Sequence, residues 1–325
     1  MRRMTSATVV ICTHERVGIV NRTIAAALSE AAACGADVLA IDNASRDGTP
    51  ALLADLARRH APVLRVAHEP VLGLSAARNR GLAEARGAVA AFLDDDAVPR
   101  PGWLAALLEP FGAPEIACVG GRIVPCFSSP PPLWLTPPLY PALSAFDAGD
   151  EPRRLRYGNE DYPFGANIAF RVAAARALGG FSTRVGLRGR QQLLHEETDM
   201  CYRVEQAGGE IHYAPAACVD HWIAAERLTP DWFLDRHGQG GRSAAVFILR
   251  NRGLLRALWR VRWLYARHLI APPYLPREPI DPARFARECH RREALGYLAG
   301  LVRASAHLHA LRHNDAVLRP VTTGS

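Results

Sequence analysis

The stretch Val89-Ala90-Ala91-Phe92-Leu93-Asp94-Asp95-Asp96 sets five apolar residues directly before three carboxylates. A short continuous apolar run is the pattern of a strand covered on both faces, here a strand at Ala88–Leu93. Three earlier runs share that pattern: Ala7–Thr13, Asp37–Ile41 and Val63–Ala67. Between them lie helix-like segments at Val17–Ala33, Pro50–Arg59 and Leu74–Glu84. The turn Asp42-Asn43-Ala44-Ser45-Arg46-Asp47-Gly48-Thr49 is rich in loop formers, and Thr49 or Asp47 reads as the cap of the next helix. The order βαβαβαβ predicts an α/β fold with a mostly parallel central sheet flanked by helices. Such sheets bind ligands at the carboxyl ends of their strands. Thr13, Asp42 and Asp94 stand at those ends, so polar residues far apart in sequence should converge.

The 325 residues are enough for one large domain with an appendage, or for two small domains. All 39 basic residues are arginine, and the formal charge is +7. That charge suits phosphate-bearing substrates or an anionic membrane surface, or simply solubility; no nucleic-acid partner is expected. The wealth of Ala, Arg, Gly and Pro reads as the coding bias of a GC-rich bacterial genome. No apolar run reaches the roughly 18 residues of a membrane span, and the basic start Met1–Thr5 lacks a secretory pattern. The seven cysteines include no CxxC pair and several sit in apolar runs, which fits buried thiols in a reducing cytoplasm.

Beyond the first four strands the pattern changes. Residues Pro125–Pro163 carry Pro130-Pro131-Pro132, Pro137-Pro138 and Pro141, with Trp134, Tyr140 and Phe146 between them. A segment of this length without elements is functional or disordered, and its aromatics favour order. From Ser243 to Ile270 the chain is basic and helical, with Arg at 250, 252, 256, 260, 262 and 267 and a break expected near Gly253. Pro272-Pro273 ends it, a helix over about Pro282–His309 follows, and the tail from Arg312 should fray.

The acidic triplet is either a solvated turn or a cation site. Three adjacent carboxylates repel one another, and alternate ones can bind Mg²⁺ or Mn²⁺ across a diphosphate. Its place after a buried fourth strand favours the cation. A second acidic group, Glu196-Glu197 with Asp199, opens a helix pattern over Thr198–Gln206. Acidic residues there favour the helix dipole, which accounts for one carboxylate better than for two behind the loop Gly186–Arg190.

Six motifs in order carry a family resemblance: Val10-Ile11-Cys12-Thr13-His14-Glu15-Arg16, Ile41–Thr49, Gly73-Leu74-Ser75-Ala76-Ala77-Arg78-Asn79-Arg80-Gly81, Phe92–Asp96, Phe164-Gly165-Ala166-Asn167 and His195–Arg203. Together they resemble a family 2 glycosyltransferase of the GT-A fold, over roughly residues 7–225. The resemblance implies a catalytic domain at 1–225, with a nucleotide-binding half at 7–124 and an acceptor half at 125–225; residues 226–325 form a helical region. It implies nucleotide contacts at Thr13, Glu15, Arg16, Asp42, Asn43, Arg78, Asn79, Asp94 and Asp95. A carboxylate at Asp42 can accept the N3–H of uracil or thymine, and a guanidinium at Arg78 suits anionic oxygens. Metal ligation falls to Asp94, Asp96 and His221. Gly165, Asn167, Glu196 and Trp222 are expected at the sugars. Glu197 is the expected base that takes the acceptor proton, with Asp199 in reserve; it stands where the family usually has aspartate. His195, His212 and His237 receive no role.

The resulting expectation is an inverting transfer of a single sugar, since no QxxRW pattern marks a processive enzyme. The donor would be a nucleotide-sugar, UDP before dTDP or GDP, and the acceptor a hydroxyl of a glycan, lipid-linked saccharide or secondary metabolite. Residues 125–163 and 183–195 are expected beside the acceptor or as lids. The expected location is the cytoplasm, with contact to the inner membrane face through 243–270 or a homodimer as further readings. A sugar nucleotidyltransferase is the alternative enzyme, but Thr13-His14-Glu15-Arg16 stands where its Gly-rich, basic phosphate loop belongs. A non-catalytic sugar-binding or membrane scaffold is the alternative outside enzymes.

Overall fold

The computed structural model describes residues 5–158, 162–183, 187–188, 191–192, 196–270 and 272–305, with 187–188, 191–192, 265 and 305 given by backbone alone. The strands are β1 (Ala7–Thr13), β2 (Asp37–Asp42), β3 (Leu64–His68), β4 (Val89–Asp94), β5 (Ala97–Pro99), β6 (Ile116–Phe127), β7 (Arg153–Leu155), β8 (Asn167–Arg171), β9 (Leu187–Arg188), β10 (Gln191–Gln192) and β11 (Glu210–Ile223). The helices are α1 (Val20–Cys34), α2 (Thr49–Arg59), α3 (Leu74–Glu84), α4 (Trp103–Leu108), α5 (Val172–Ala177), α6 (Glu196–Gln206), α7 (Pro230–Leu264) and α8 (Pro282–Ser305).

One sheet runs in the order β3-β2-β1-β4-β8-β6-β11-β5, with β7 also paired to β11. β1 to β4 pair in parallel, as do β6 and β11. β8 is antiparallel to both of its neighbours, β4 and β6, and joins the two parallel groups. The register sets Thr13 beside Asp42 and Cys12 beside Asp94, so the strand ends meet along one edge. Val9, Val10, Ile11, Leu39, Ile41 and Val89 are fully buried. Each such side chain contributes about 1.5–3 kcal/mol by leaving water.

α3 spans the residues its sequence pattern marks. α1 starts at Val20 and not at Val17. The backbone N–H of Arg16 donates to Thr49 Oγ1 at 3.0 Å and that of Val17 to Asp47 Oδ2 at 3.4 Å, which holds this segment across to the next turn and delays the helix. Asp47 Oδ1 accepts from the Thr49 N–H at 2.9 Å and supports the start of α2.

The proline-rich segment is ordered by a second core. Trp134, Leu135, Leu139 and Leu143 pack with Ile223, Phe233, Phe285 and Cys289. Trp134 meets Phe233 and Phe285 edge-on, with ring centroids 5.2 and 4.7 Å apart. Aromatic pairs in this arrangement add about 0.5–1.5 kcal/mol each beyond burial. The segment is thereby tied to α7 and α8. α7 is non-helical at Gly253 (φ 81, ψ 172), a conformation open to glycine. Among the described residues no helix is long and apolar enough to cross a membrane.

Candidate active site

A cavity of ≈ 600 Å³ opens at the carboxyl ends of β1 and β4. Five carboxylates line it, Asp94, Asp95, Asp96, Glu196 and Glu197, together with the arginines 16, 78, 227 and 236. Their arrangement decides what each can do.

Asp96 sits between His221 and Arg227. Its Oδ1 lies 3.0 Å from His221 Nε2 and its Oδ2 3.3 Å from Arg227. Burial pushes its carboxyl up, but His221, Arg227 and Arg16 outweigh that and hold it below the usual range. His221 comes from β11, and its Nδ1 donates to the Leu143 carbonyl at 3.0 Å. A carbonyl can only accept, so Nδ1 carries the proton and Nε2 is left facing Asp96. That outer hydrogen bond is the arrangement found behind metal-bound imidazoles. Asp94, Asp96 and His221 each offer a donor atom within 4.8 Å of the others. Two carboxylates and one imidazole suit Mn²⁺ or Mg²⁺, so these residues fit a divalent cation.

Asp95 points elsewhere. It accepts from Thr13 Oγ1 at 2.7 Å and lies 3.9 Å from Arg16. Burial and the charge of Asp96 push it up to about 7, so it carries a proton through part of the physiological range.

Arg78 joins the triplet to the second acidic group. It extends from α3, is 2% exposed, and donates to Asp94 Oδ1 at 3.3 Å and Glu196 Oε1 at 2.9 Å. Gly165 makes room for it: a Cβ there would lie 2.2 Å from the guanidinium. Burial first, then the charge of Glu197, push Glu196 up to about 7 against the pull of Arg78. Burial also raises Glu197, opposed by Arg78 and Arg236. One buried guanidinium shared among three carboxylates leaves this pair able to hold a proton near neutrality.

Residues 8–179 match the family model described as glycosyl transferase family 2. The chain belongs to that family. It is 32% identical over 218 residues to the pre-mycofactocin glycosyltransferase of Mycobacterium tuberculosis, a match covering 66% of this chain and 43% of that protein. It is 28% identical over 179 residues to the glucosyl-dolichyl phosphate glucuronosyltransferase of Haloferax volcanii, covering 54% of this chain and 56% of the relative. The match thus takes in less than half the length of the mycobacterial relative. Among solved structures it superimposes on GalNAc-T7 with UDP, GalNAc and Mn²⁺ (TM-score 0.60, 17% identity, covering 95% of this chain and 58% of the other). The mannosyltransferase PcManGT of Pyrobaculum calidifontis, in complex with GDP-Man and Mn²⁺, gives a TM-score of 0.54 at 17% identity, covering 97% and 77%. The fold is GT-A.

Of the residues singled out in the sequence, this family 2 glycosyltransferase brings Thr13, Arg16, Asn43, Arg78, Asp94, Asp95, Asp96, Gly165, Glu196, Glu197 and His221 to the cavity wall. The others stand off it. Asn167, expected at the donor sugar, is fully buried: it accepts from Trp103 Nε1 and donates to the Arg122 and Ala217 carbonyls, pinning strands together. Asp199, the reserve base, is bound to Arg203 at 2.9 Å and Asn251 at 3.2 Å, between α6 and α7. Asn79 exchanges two hydrogen bonds with the Phe181 backbone. Asp42 accepts from the Ser45 N–H and lies 3.0 Å from His68, behind the wall. Glu15 is exposed, with a positive φ of 53. Trp222 points away from His221, as successive residues of a strand do, and stacks under Arg22. The segment 184–186, 189–190 and 193–195 within the expected lid lies outside the described residues.

Sequence reasoning missed Arg227, Trp232 and Arg236, which also line the cavity, as do residues 142–144 of the segment expected beside the acceptor. Arg236 Nε donates to the Ala142 carbonyl at 3.2 Å. Trp232 and Arg236 are four apart on α7, with Arg236 over the indole ring. That spacing was available in the sequence, but nothing in it showed that the helix turns back to the sheet edge.

Proposed function

We propose that this glycosyltransferase moves one sugar, with inversion, from a nucleoside diphosphate sugar to a hydroxyl acceptor. The donor is a UDP-sugar first, a dTDP- or GDP-sugar second. The acceptor is a glycan, a lipid-linked saccharide or a secondary metabolite; the Haloferax relative's name specifies a dolichyl phosphate glycan, which supports the lipid-linked class. The observation that carries the proposal is the pairing, in one cavity, of a triad that fits a cation with a Glu196–Glu197 pair whose carboxyls desolvation pushes up.

A divalent cation held by Asp94, Asp96 and His221 would supply positive charge to offset that developing on the leaving nucleoside diphosphate. Arg227 and Arg236 face the same space and add positive charge for the phosphates. Glu197 takes the proton from the acceptor hydroxyl as its oxygen bonds to the anomeric carbon. The bond from that carbon to the diphosphate oxygen breaks, and the electron pair leaves with the diphosphate. Glu196, held by Arg78, orients the acceptor. Thr13, Arg16 and Asn43 line the nucleotide end.

Incubating the protein with Mn²⁺ and a panel of nucleotide-sugars, then reading thermal stability, identifies the donor that binds. NMR of the transferred anomeric centre then gives the stereochemistry. In Glu197→Gln, turnover should fall about 10²–10⁴-fold, the range of general-base catalysis, while donor binding persists. Undiminished turnover in that variant, or retention at the anomeric carbon, would sink the assignment.

We also propose peripheral membrane contact through the later half of α7. Leu255, Leu258, Trp259 and Trp263 are 84, 52, 65 and 44% exposed and recur at helical spacing beside exposed Arg256 and Arg262. An apolar stripe edged by arginine suits an anionic bilayer surface. Flotation with phosphatidylglycerol vesicles should carry the wild type up and leave Trp259→Glu/Trp263→Glu at the bottom of the gradient; equal flotation refutes the contact.

A further inference from the structure

α7 and α8 touch backbone to backbone. A Cβ at Gly241 would lie 1.9 Å from the Glu293 carbonyl oxygen, and one at Gly296 would lie 2.1 Å from that of Gly238. Helices this close cannot slide without driving backbone into backbone, so side chains near the contact are held in register. Three of them converge. His237 comes from α7, one turn before Gly241. His290 and Glu293 come from α8, three residues apart and therefore on one face. His237 Nδ1 lies 3.7 Å from Glu293 Oε2, and His290 Nδ1 lies 3.9 Å from the same oxygen. Each residue offers one donor atom within 4.8 Å of the other two.

These separations are too long for hydrogen bonds, which need about 2.7–3.2 Å. They approach the spacing of ligand atoms around a tetrahedral ion. With metal bonds of about 2.0–2.1 Å, two such atoms stand about 3.3–3.4 Å apart. Among the described residues His237 Nε2 is buried without a hydrogen-bond partner, so no acceptor there commits the ring to one tautomer. The lone pair of Nδ1 is free to point at Glu293.

We propose that His237, His290 and Glu293 bind a zinc-like divalent cation, at a second metal site outside the active-site cavity. Two imidazoles and one carboxylate are a zinc donor set. The cavity triad reverses that ratio, with two carboxylates and one imidazole, and favours harder ions. Three protein donors leave a fourth position for water or for His268, whose ring lies 5.4 Å from that of His290. The ion ties α7 to α8 beside Arg236, the chain neighbour of His237 and a cavity residue. It therefore braces the helix turn that carries Trp232 and Arg236 into the active site.

The test uses the full chain, stripped with chelator, in an Asp96→Asn background that disables the cavity triad. Equilibrium dialysis against Zn²⁺ should load one equivalent in Asp96→Asn and none in Asp96→Asn/His290→Ala or Asp96→Asn/Glu293→Gln. Zn²⁺ should raise the melting temperature of the first protein only. Co²⁺ in place of Zn²⁺ should give the first protein alone the visible absorption of a four-coordinate site. His290 is 42% exposed at its side chain, so its removal spares the fold; circular dichroism checks this. Equal zinc uptake with and without His290, or no uptake by Asp96→Asn, overturns the proposal. If the cavity triad binds no metal, the wild type itself loses its zinc on His290→Ala, so the two readings fail separately.

Discussion

Asp96 and Glu197 face the same cavity, and burial works against the charge of both. Their surroundings then diverge. Asp96 has His221 and Arg227 in contact with its two oxygens, and those contacts outweigh burial. Among the described residues Glu197 has no such pair in contact with it. Arg78 is engaged with Glu196 and Asp94, and Arg236 is occupied by the Ala142 carbonyl. One end of the cavity therefore keeps a carboxylate charged, as a metal ligand must be. The other end keeps carboxylates close to protonation, as a base working near neutrality must be. Residue type does not separate these roles, because all five groups are carboxylates; the number of cations within reach does.

The largest effect is expected at the charged end. Asp96→Asn keeps the shape and removes the charge, leaving His221 and Arg227 without their anion. Loss of metal-assisted charge stabilisation amounts to several kcal/mol, and about 4 kcal/mol corresponds to about 10³-fold in rate. Turnover with Mn²⁺ should drop by at least that factor, and chelation should abolish it in the wild type. An Asp96→Asn enzyme with full Mn²⁺-dependent turnover would erase the distinction between the two ends.

Next in size is the link between them. Arg78→Met replaces the guanidinium with an apolar chain of similar length. Asp94 and Glu196 then lose the cation they share in a buried setting. Breaking a buried pair on one side costs about 3–5 kcal/mol, which urea denaturation would detect as a lower midpoint. A stability change below about 1 kcal/mol would mean that both carboxylates simply take up protons. Gly165→Ala is a weaker form of the same perturbation, because its methyl would displace the Arg78 guanidinium.

Much of the charged end was legible in the sequence, and much of the other end was not. The strand before Asp94 and the helix Leu74–Glu84 announce themselves by periodicity, so the placement of Arg78 and Asp94 followed. Asp96 and His221 meet as the motif resemblance implies, although 125 positions separate them. Asn167 shows the limit. It belongs to a motif, but its three hydrogen bonds go to Trp103, Arg122 and Ala217, from three other parts of the chain. No local pattern reveals that its amide is already engaged. Trp232 and Arg236 were out of reach for a related reason. Their helix reads as an appendage, and only the second core around Trp134 shows that it folds back to the cavity. Local periodicity specifies elements, whereas site membership at the far end depends on how those elements close on one another.

The smallest expected effect is the sharpest test of which group acts as base. Glu197 must be ionised to accept the proton, and its pKa is raised by burial. The acid limb of kcat/KM, which reports the free enzyme, should therefore lie above the ordinary carboxylate range. Asp95 is also pushed up to about 7, so the position of the limb alone does not identify the group. Arg236 separates them. Its charge lowers Glu197, whereas the cation that chiefly lowers Asp95 is Arg16. Removing a cation makes the ionised form less favourable, so the pKa of Glu197 rises in Arg236→Gln and the acid limb moves to higher pH. Arg16→Gln should move it only if Asp95 is the titrating group. A limb that shifts with Arg16 and stays fixed with Arg236 would transfer the proton chemistry from the Glu pair to the triplet.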